Sequence, residues 1–190
     1  MPPKAVLDTL AVLWLVLGEL KSEIAVAGGV ALSFWGNPRS TRAVDLTLMA
    51  ETFAKLKSLM IQSGFVDQSP SRLIGPFELS KFKFEPAESF VEVEFDILAG
   101  KDDYFRQAIE RAITANIEGL TMPLRFLTRE DLIVYKLFTY RLIDQADILN
   151  LMELHWAELD HDYLNRWTKQ LKLNSEFDAA VRRFRELNPG

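Results

Sequence analysis

The chain has 190 residues, enough to bury a sizeable core, and its composition of 48% hydrophobic and 26% charged residues is ordinary for a soluble globular protein. A formal net charge of −5 excludes general attraction of nucleic acid to the whole surface, although a local basic patch stays compatible with it. Because the chain contains no cysteine, it holds no disulfide, thiolate nucleophile or cysteine-ligated zinc, and we expect a cytoplasmic protein.

The N-terminal half alternates between helical and strand-like patterns. An apolar run near the N-terminus is too short to span a bilayer, so it predicts a buried helix and no membrane partner. Glycines, prolines and changes of periodicity mark the ends of the elements that follow. The predicted elements are a helix over residues 4–21, a strand over 24–27, a helix over 30–35, a strand over 42–49, a helix over 51–63, and strands over 73–84 and 90–98.

The C-terminal half is mainly helical. A helix is predicted over 102–113, a hairpin or strand pair over 117–127, and helices from Thr128 to the C-terminus with breaks near Asp160 and Asn174. Helices that follow a set of mixed elements predict an α+β fold. We therefore predict a mixed sheet flanked by helices over residues 1–127 and a helical C-terminal part over residues 128–190.

Two of the predicted strands carry carboxylates on their polar faces. Glu92, Glu94 and Asp96 alternate with apolar residues, and Asp45 lies on the polar face of the earlier strand. Carboxylates at this spacing repel one another unless water or a cation meets them. If the two strands are neighbours, their carboxylates converge on a pocket suited to a hard cation, Mg²⁺ or Mn²⁺.

The glycine pair Gly28-Gly29 lies between a predicted strand and a predicted helix. A backbone without a Cβ atom can approach a phosphate closely, and the N–H groups at a helix start favour anions. Arg39 and Arg42 follow in the next loop and would add charge-assisted contacts. The same residues are also compatible with a simple tight turn and a solvated loop, because short glycine motifs are weak signals.

The order of these features resembles the nucleotidyltransferase fold of the DNA polymerase β type, and within it the minimal nucleotidyltransferases of the AbiEii toxin kind. Those proteins carry a Gly-Gly or Gly-Ser turn, then Arg-x-Thr, then Asp-x-Asp. This chain has Gly28-Gly29, Arg39-Ser40-Thr41 and Ala43-Val44-Asp45 in the same order. The segment Phe95-Asp96-Ile97-Leu98 resembles the strand with the third carboxylate, for which Asp96 is favoured over Glu94.

A later segment, residues 128–151, is similar to the family's motif of a lysine on one helix and an aspartate on the next. Lys136 matches the lysine, and Arg141, Asp144 and Asp147 follow in the family's order. The resemblance covers residues 24–151, and it implies a nucleotidyltransferase-like mixed sheet with a helical C-terminal part.

The resemblance implies the transfer of a nucleoside monophosphate from a nucleoside triphosphate to an acceptor, with release of pyrophosphate. The implied catalytic residues are Asp45, Asp96 and Lys136, of which Asp45 and Asp96 would hold Mg²⁺ or Mn²⁺, with Glu94 as the alternative ligand. The implied nucleotide-binding residues are Gly28, Gly29, Arg39, Thr41 and Asp147, and Asp147 would either position Lys136 or contact the nucleotide.

The resemblance also suggests partners. It favours the toxin half of a bacterial toxin–antitoxin or phage-defence pair, with RNA such as tRNA as acceptor and a cognate antitoxin protein. Because the net charge is acidic, an RNA acceptor would require a basic patch around Arg39, Arg42 and Lys136. Two alternatives stay open: an enzyme that modifies small molecules such as antibiotics, and a catalytically silent module that binds a nucleotide or a partner.

Ala43 departs from the family pattern, since it stands where the first aspartate of Asp-x-Asp belongs. Alanine offers no ligand, so one coordination position is lost and we predict little activity. One explanation is a substitution that silences a toxic enzyme, which fits the otherwise intact motifs. The other is a naturally degenerate member of the family.

Overall fold

The computed structural model describes residues 2–38, 41–86 and 91–189. Within these ranges helices and strands alternate as an α+β fold, and two short 3₁₀ helices lie at Gly18–Glu23 and Trp156–Glu158. The α-helices are α1 (Lys4–Val16), α2 (Gly28–Phe34), α3 (Ala50–Gln62), α4 (Asp103–Arg111), α5 (Arg129–Thr139), α6 (Leu142–His155), α7 (His161–Gln170) and α8 (Asn174–Leu187). The strands are β1 (Ile24–Ala27), β2 (Ala43–Met49), β3 (Val66–Asp67), β4 (Arg72–Ile74), β5 (Phe77–Phe84), β6 (Val93–Gly100), β7 (Ile113–Ala115) and β8 (Leu124–Phe126).

The strands form a single mixed sheet in the order β3-β5-β6-β2-β1-β8-β7, and β4 pairs with β5 at one side. The pairs β2–β6 and β1–β8 are parallel, and the other pairs are antiparallel. The predicted α+β class, with a mixed sheet, flanking helices and a helical C-terminal part, is confirmed. No helix within the described ranges combines the length and the apolar character that a bilayer crossing requires.

The register of the central strands positions the polar residues of the sheet. Asp45 of β2 lies opposite Ala27 of β1 on one side and opposite Asp96 of β6 on the other. Ala43 lies opposite Glu94 in the same parallel pair. Because side chains alternate along a strand, these four positions of β2 and β6 belong to one face of the sheet.

Two N-terminal predictions differ from the structure because of glycine. The helix predicted over 4–21 ends at Val16 and continues as a 3₁₀ helix, since Gly18 has a φ of +55° that an α-helix does not contain. The strand predicted over 73–84 is a hairpin of β4 and β5, because Gly75, with a φ of +56°, turns the chain between them.

Two further boundaries are shifted. The helix predicted over 30–35 begins earlier, at Gly28, so the glycine pair is the first turn of α2. The pair of strands predicted over 117–127 is a hairpin of β7 and β8 that starts earlier, at Ile113, and Gly119 lies in its connecting loop.

The opposite face of the central strands forms the core. Val44 and Leu46 of β2 and Phe95 and Ile97 of β6 are completely buried, and helices α1 and α3 contact both strands. One continuous hydrophobic cluster also contains residues of α5 to α8. The helical C-terminal part and the sheet therefore share one core across the predicted boundary at residue 127.

Helix α5 begins where the sequence predicts, at a capping threonine. The backbone N–H of Asp131 donates to Thr128 Oγ1 at 3.2 Å, and the Thr128 hydroxyl donates to Asp131 Oδ2 at 2.7 Å. Further along α5, the Tyr135 hydroxyl lies 2.6 Å from Thr47 Oγ1. Since Thr47 and Asp45 share a face of β2, this contact places α5 over the carboxylate face of the sheet.

We expect Thr128→Ala to lower the free energy of unfolding by about 1–2 kcal/mol, because the first turn of α5 loses its cap and the buried Asp131 loses a donor. Thr128→Ser keeps the hydroxyl and should retain most of that stability. Urea unfolding followed by circular dichroism measures both variants. Equal losses in the two variants would contradict the capping role.

Candidate nucleotide site

A cavity of about 220 Å³ lies between the carboxylate face of the sheet and the helices α5 and α6. Its walls include Gly28, Asp45, Asp96 and Lys136. In this order the four residues belong to α2, β2, β6 and α5. More than ninety positions separate Asp45 from Lys136 in the sequence. The structure therefore brings all three predicted catalytic side chains to one cavity, while their roles stay predictions.

Asp45 and Asp96 form the acidic part of the cavity wall. They are direct neighbours across the parallel β2–β6 pair, where adjacent strands lie about 4.8 Å apart. Both side chains are half-buried, so water is only partly able to separate the two charges. This arrangement attracts a cationic group to the gap between them.

Gly28 lies against Asp45, and a side chain at this position would displace the carboxylate. A Cβ atom built on Gly28 would be 1.8 Å from Asp45 Oδ2. The φ of Gly28, +54°, is also in the left-handed region that favours glycine. Gly28, which the sequence suggests for phosphate binding, is thus required for the observed position of the Asp45 carboxylate.

Gly29 and Thr41 pack against each other instead of lining the cavity. Both are buried, and a Cβ atom on Gly29 would be 2.8 Å from Thr41 Cβ. The Thr41 hydroxyl donates to the carbonyl of Ala43 at 2.9 Å and so fixes the start of β2. Neither residue is part of the cavity wall, so their contacts with a nucleotide stay predictions, and Arg39 lies outside the described residues.

Lys136 is buried and paired with acidic residues of α6. Its Nζ atom lies 2.5 Å from Asp147 Oδ2 and 3.4 Å from Asp144 Oδ1. Asp147 is itself buried and is not part of the cavity wall. Of the two roles considered for Asp147, this geometry matches the positioning of Lys136.

Asp144 connects the start of α6 to the end of α5. Burial raises the pKa of Asp144, but hydrogen bonds from Arg141 and Thr139 and the charge of Lys136 outweigh burial and lower the pKa to about 2. Arg141 donates from Nε to Asp144 Oδ2 at 2.7 Å and from Nη2 to Oδ1 at 3.2 Å. Asp144 is therefore ionised at neutral pH and holds two cationic side chains at the cavity.

Lys81 and Arg72 also line the cavity, and neither was predicted as a site residue from the sequence. Lys81 lies opposite Asp96 in the antiparallel β5–β6 pair, and its Nζ atom is 2.6 Å from Asp96 Oδ1. One signal was available: Lys81 and Lys83 alternate in β5 with the same spacing as Glu94 and Asp96 in β6. Opposite charges that face each other across two strands favour their pairing.

Tyr135 lines the cavity beside Lys136 but does not act as a base. Burial raises the pKa of its hydroxyl well above the usual range, so the group stays protonated at neutral pH. Its hydroxyl is in contact with Thr47 Oγ1, which ties α5 to β2. We assign Tyr135 a positioning role.

Asp45 and Asp96 supply two carboxylates that could hold a hard cation together with a bound phosphate. Among the residues that the structure describes, no three acidic or histidine side chains lie close enough together to hold a metal ion on their own. Mg²⁺ is commonly held by one or two carboxylates together with phosphates of a bound nucleotide, which Asp45 and Asp96 match. Ala43 supplies no ligand, and its neighbour Glu94 is exposed.

Comparison with known proteins finds no matching family model and no matching curated protein. Solved structures do match. A candidate nucleotidyltransferase from Thermotoga maritima has a TM-score of 0.56 and 13% identity, over 79% of this chain and 93% of its own. The protein JHP933 from Helicobacter pylori has a TM-score of 0.53 and 14% identity, over 99% and 83% of the two chains.

An antigenic nucleotidyltransferase-like protein from Paracoccidioides brasiliensis matches with a TM-score of 0.51 and 16% identity, over 94% of this chain and 93% of its own. The chain has the nucleotidyltransferase fold. At identities this low the likeness establishes the fold, and a reaction has to be derived from the residues that line the cavity.

We expect Gly28→Ala to lower the free energy of unfolding by about 3 kcal/mol, because left-handed strain adds to the overlap with Asp45. Gly18→Ala is a matched control, since Gly18 has nearly the same φ, +55°, and no atom within 4 Å of the added Cβ. The control should lose only the strain, about 1–2 kcal/mol. Urea unfolding measures the difference, and equal losses would contradict the contact with Asp45.

A second prediction concerns pH. The folded-state pKa of Asp144, about 2, lies below its ordinary value of 3.8, so the ionised side chain stabilises the fold at pH 7. Asp144→Asn should lower the free energy of unfolding at pH 7 by about 2 kcal/mol, and the loss should shrink as the pH falls from about 4 towards 2.

Urea unfolding at pH 7, 5 and 3 measures this dependence. Asp8→Asn is the control, because the Lys4–Asp8 pair is exposed and should contribute less than about 0.5 kcal/mol. A loss at Asp144 that is the same at all three pH values would contradict the ionic origin of the stabilisation.

Proposed function

We propose that the protein is a metal-dependent nucleotidyltransferase, which transfers a nucleoside monophosphate from a nucleoside triphosphate to an acceptor. One observation carries the proposal: Gly28, Asp45, Asp96 and Lys136 line a single cavity in a chain with the nucleotidyltransferase fold. Each of these residues matches one motif of the family, and the motifs follow one another in the family's order. The proximity of the four residues in space is a separate observation, because sequence order alone does not determine which residues meet.

The charge of the cavity supports a polyanionic substrate. Four basic side chains and three acidic ones lie on its wall within the described residues: Arg72, Lys81, Lys136 and Arg141, and Asp45, Asp96 and Asp144. Lysine and arginine side chains bind phosphates through charge-assisted hydrogen bonds. The triphosphate would lie along these cations, with Gly28 leaving room beside Asp45.

Asp45 and Asp96 are the residues that would hold the divalent cation. When bound, the cation would polarise a phosphoryl oxygen and offset the charge of the phosphates. Lys136, held in place by Asp147, would neutralise charge that develops on the transferred or leaving phosphate. A carboxylate next to the acceptor would receive its proton as the new bond forms.

Ala43 limits this activity in our proposal. Position 43 lies two residues before Asp45 on the same face of β2, so an aspartate there would be directed to the same edge of the site. Two origins of Ala43 remain in the proposal: an inactivating substitution of an aspartate, and a natural loss in a protein that binds nucleotide without turnover. In both cases the chain itself has low activity.

We further propose RNA, such as tRNA, as the acceptor, and a role as the toxin of a toxin–antitoxin or phage-defence pair. The support is the family resemblance together with cations at the mouth of the cavity. Arg72 is exposed and the Arg141 side chain is 69% exposed, whereas the buried Lys136 cannot contribute to a surface patch. We therefore propose that Arg72 of β4 and Arg141, just before α6, form the basic patch, in place of the patch expected around Arg39, Arg42 and Lys136.

The decisive experiment restores the missing carboxylate. We expect Ala43→Asp to raise the transfer of label from α-³²P-nucleoside triphosphates to total RNA by at least about a hundredfold, since even the indirect partners of a metal contribute 10–100-fold. Two controls are Ala43→Asn, which lacks the charge, and the double variant Ala43→Asp/Asp45→Asn, which should be inactive.

The other outcomes separate the alternatives. Transfer to an aminoglycoside or lincosamide and not to RNA would overturn the RNA acceptor and identify a small-molecule enzyme. Nucleotide binding without any transfer by Ala43→Asp would overturn the enzyme and indicate a silent binding module. Absence of nucleotide binding in both forms would overturn the proposed function altogether.

A further inference from the structure

The Lys81–Asp96 pair places a cationic side chain beside one of the two residues that we propose as metal ligands. Lys81 Nζ lies 2.6 Å from Asp96 Oδ1, and Lys81 lines the same cavity as Asp45 and Asp96. The pairing follows from the sheet, because the two residues are direct register partners in β5 and β6. The register therefore keeps Lys81 next to one of the two proposed metal ligands.

The charge of the site differs in two ways from a site built on three carboxylates and two divalent cations. Ala43 removes one negative charge, and Lys81 adds one positive charge. Together these changes amount to the charge of one divalent cation. Counted over Asp45, Asp96 and Lys81 alone, one divalent cation gives the net charge that three carboxylates reach with two divalent cations.

We propose that Lys81 serves as a built-in counter-ion of Asp96 that takes the place of a second metal ion, so that this site holds one divalent cation per chain. The proposal rests on the proposed nucleotidyltransferase function for the identity of the site. The effect of Lys81 on cation affinity concerns Lys81, Asp96 and Asp45, and this part of the proposal is testable without nucleotide.

Lys81 should weaken the binding of a divalent cation in the absence of nucleotide. Asp96 Oδ1 is already engaged by the ammonium group, and the ammonium charge repels an approaching cation. Replacement of Lys81 by an uncharged residue of similar length leaves Asp96 available beside Asp45. Replacement by arginine keeps the charge and should keep the affinity low.

The test measures the binding of Mn²⁺ to the full chain by electron paramagnetic resonance of free Mn²⁺, without nucleotide. We expect Lys81→Met to raise the affinity for Mn²⁺ by about tenfold or more, equivalent to about 1.4 kcal/mol. Lys83→Met is a closely matched control: Lys83 lies on the same strand, two residues away, its side chain is 34% exposed against 36% for Lys81, and it pairs with Glu92. The control should change the affinity by less than about twofold.

A second measurement counts bound Mn²⁺ per chain in the presence of a saturating nucleoside triphosphate analogue with a methylene bridge between the α and β phosphorus atoms. We expect one Mn²⁺ in the unaltered chain and two in the double variant Ala43→Asp/Lys81→Met. Two ions in the unaltered chain would overturn the proposal. So would an unchanged Mn²⁺ affinity in Lys81→Met, or an equal rise in Lys83→Met.

The two proposals fail separately. If a fluorescent nucleoside triphosphate does not bind to any variant, the proposed function is overturned, while the nucleotide-free Mn²⁺ titration still decides the role of Lys81. If nucleotide binds and Lys81→Met leaves the Mn²⁺ affinity unchanged, only the role of Lys81 is overturned. If Lys81→Met fails to fold, as judged by its thermal melt, Lys81→Gln takes its place and Lys81→Arg confirms that the charge is responsible.

Discussion

The site depends on the parallel pairing of β2 with β6, in which Asp45 lies opposite Asp96. The register of this pair is fixed from the other face of the sheet, where Val44, Leu46, Phe95 and Ile97 are completely buried. A shift by one residue would place a carboxylate in the core and expose a phenylalanine or an isoleucine, because side chains alternate along a strand. The hydrophobic effect thus holds two like charges side by side, and the surrounding cations compensate their repulsion.

The direct compensation comes from within the sheet. Within the sheet, Lys81 neutralises Asp96 from the adjacent strand. Above the sheet, α5 brings Lys136, but Asp144 and Asp147 already satisfy its charge. The cation–carboxylate pairs Lys81–Asp96, Lys136–Asp144 and Lys136–Asp147 are internal contacts of the fold, so a phosphate-bearing ligand would have to compete with them. These contacts organise the cavity in the absence of a ligand, which favours ligand binding without large rearrangement.

Local patterns predicted most of the elements but not their ends. The strand over residues 24–27 and the start of α5 at Thr128 are found where the sequence predicts them, because burial and capping are local signals. The shifted ends occur mainly at glycines, such as Gly18 and Gly75, whose positive φ is decided by the surrounding chain. In the site, Lys81 was missed because its partner Asp96 becomes a neighbour only when β5 and β6 pair.

By itself, the sequence determined the α+β class, the polar faces of the acidic strands and the order of the motifs, since periodicity and composition act over short distances. Only the tertiary structure decided which residues meet: Asp45 with Asp96 and Gly28, Lys81 with Asp96, and Lys136 with Asp147. These partners lie on different elements, and the packing of strands and helices sets their distances. A short stretch of sequence contains no information about such distances, because it does not contain the partner.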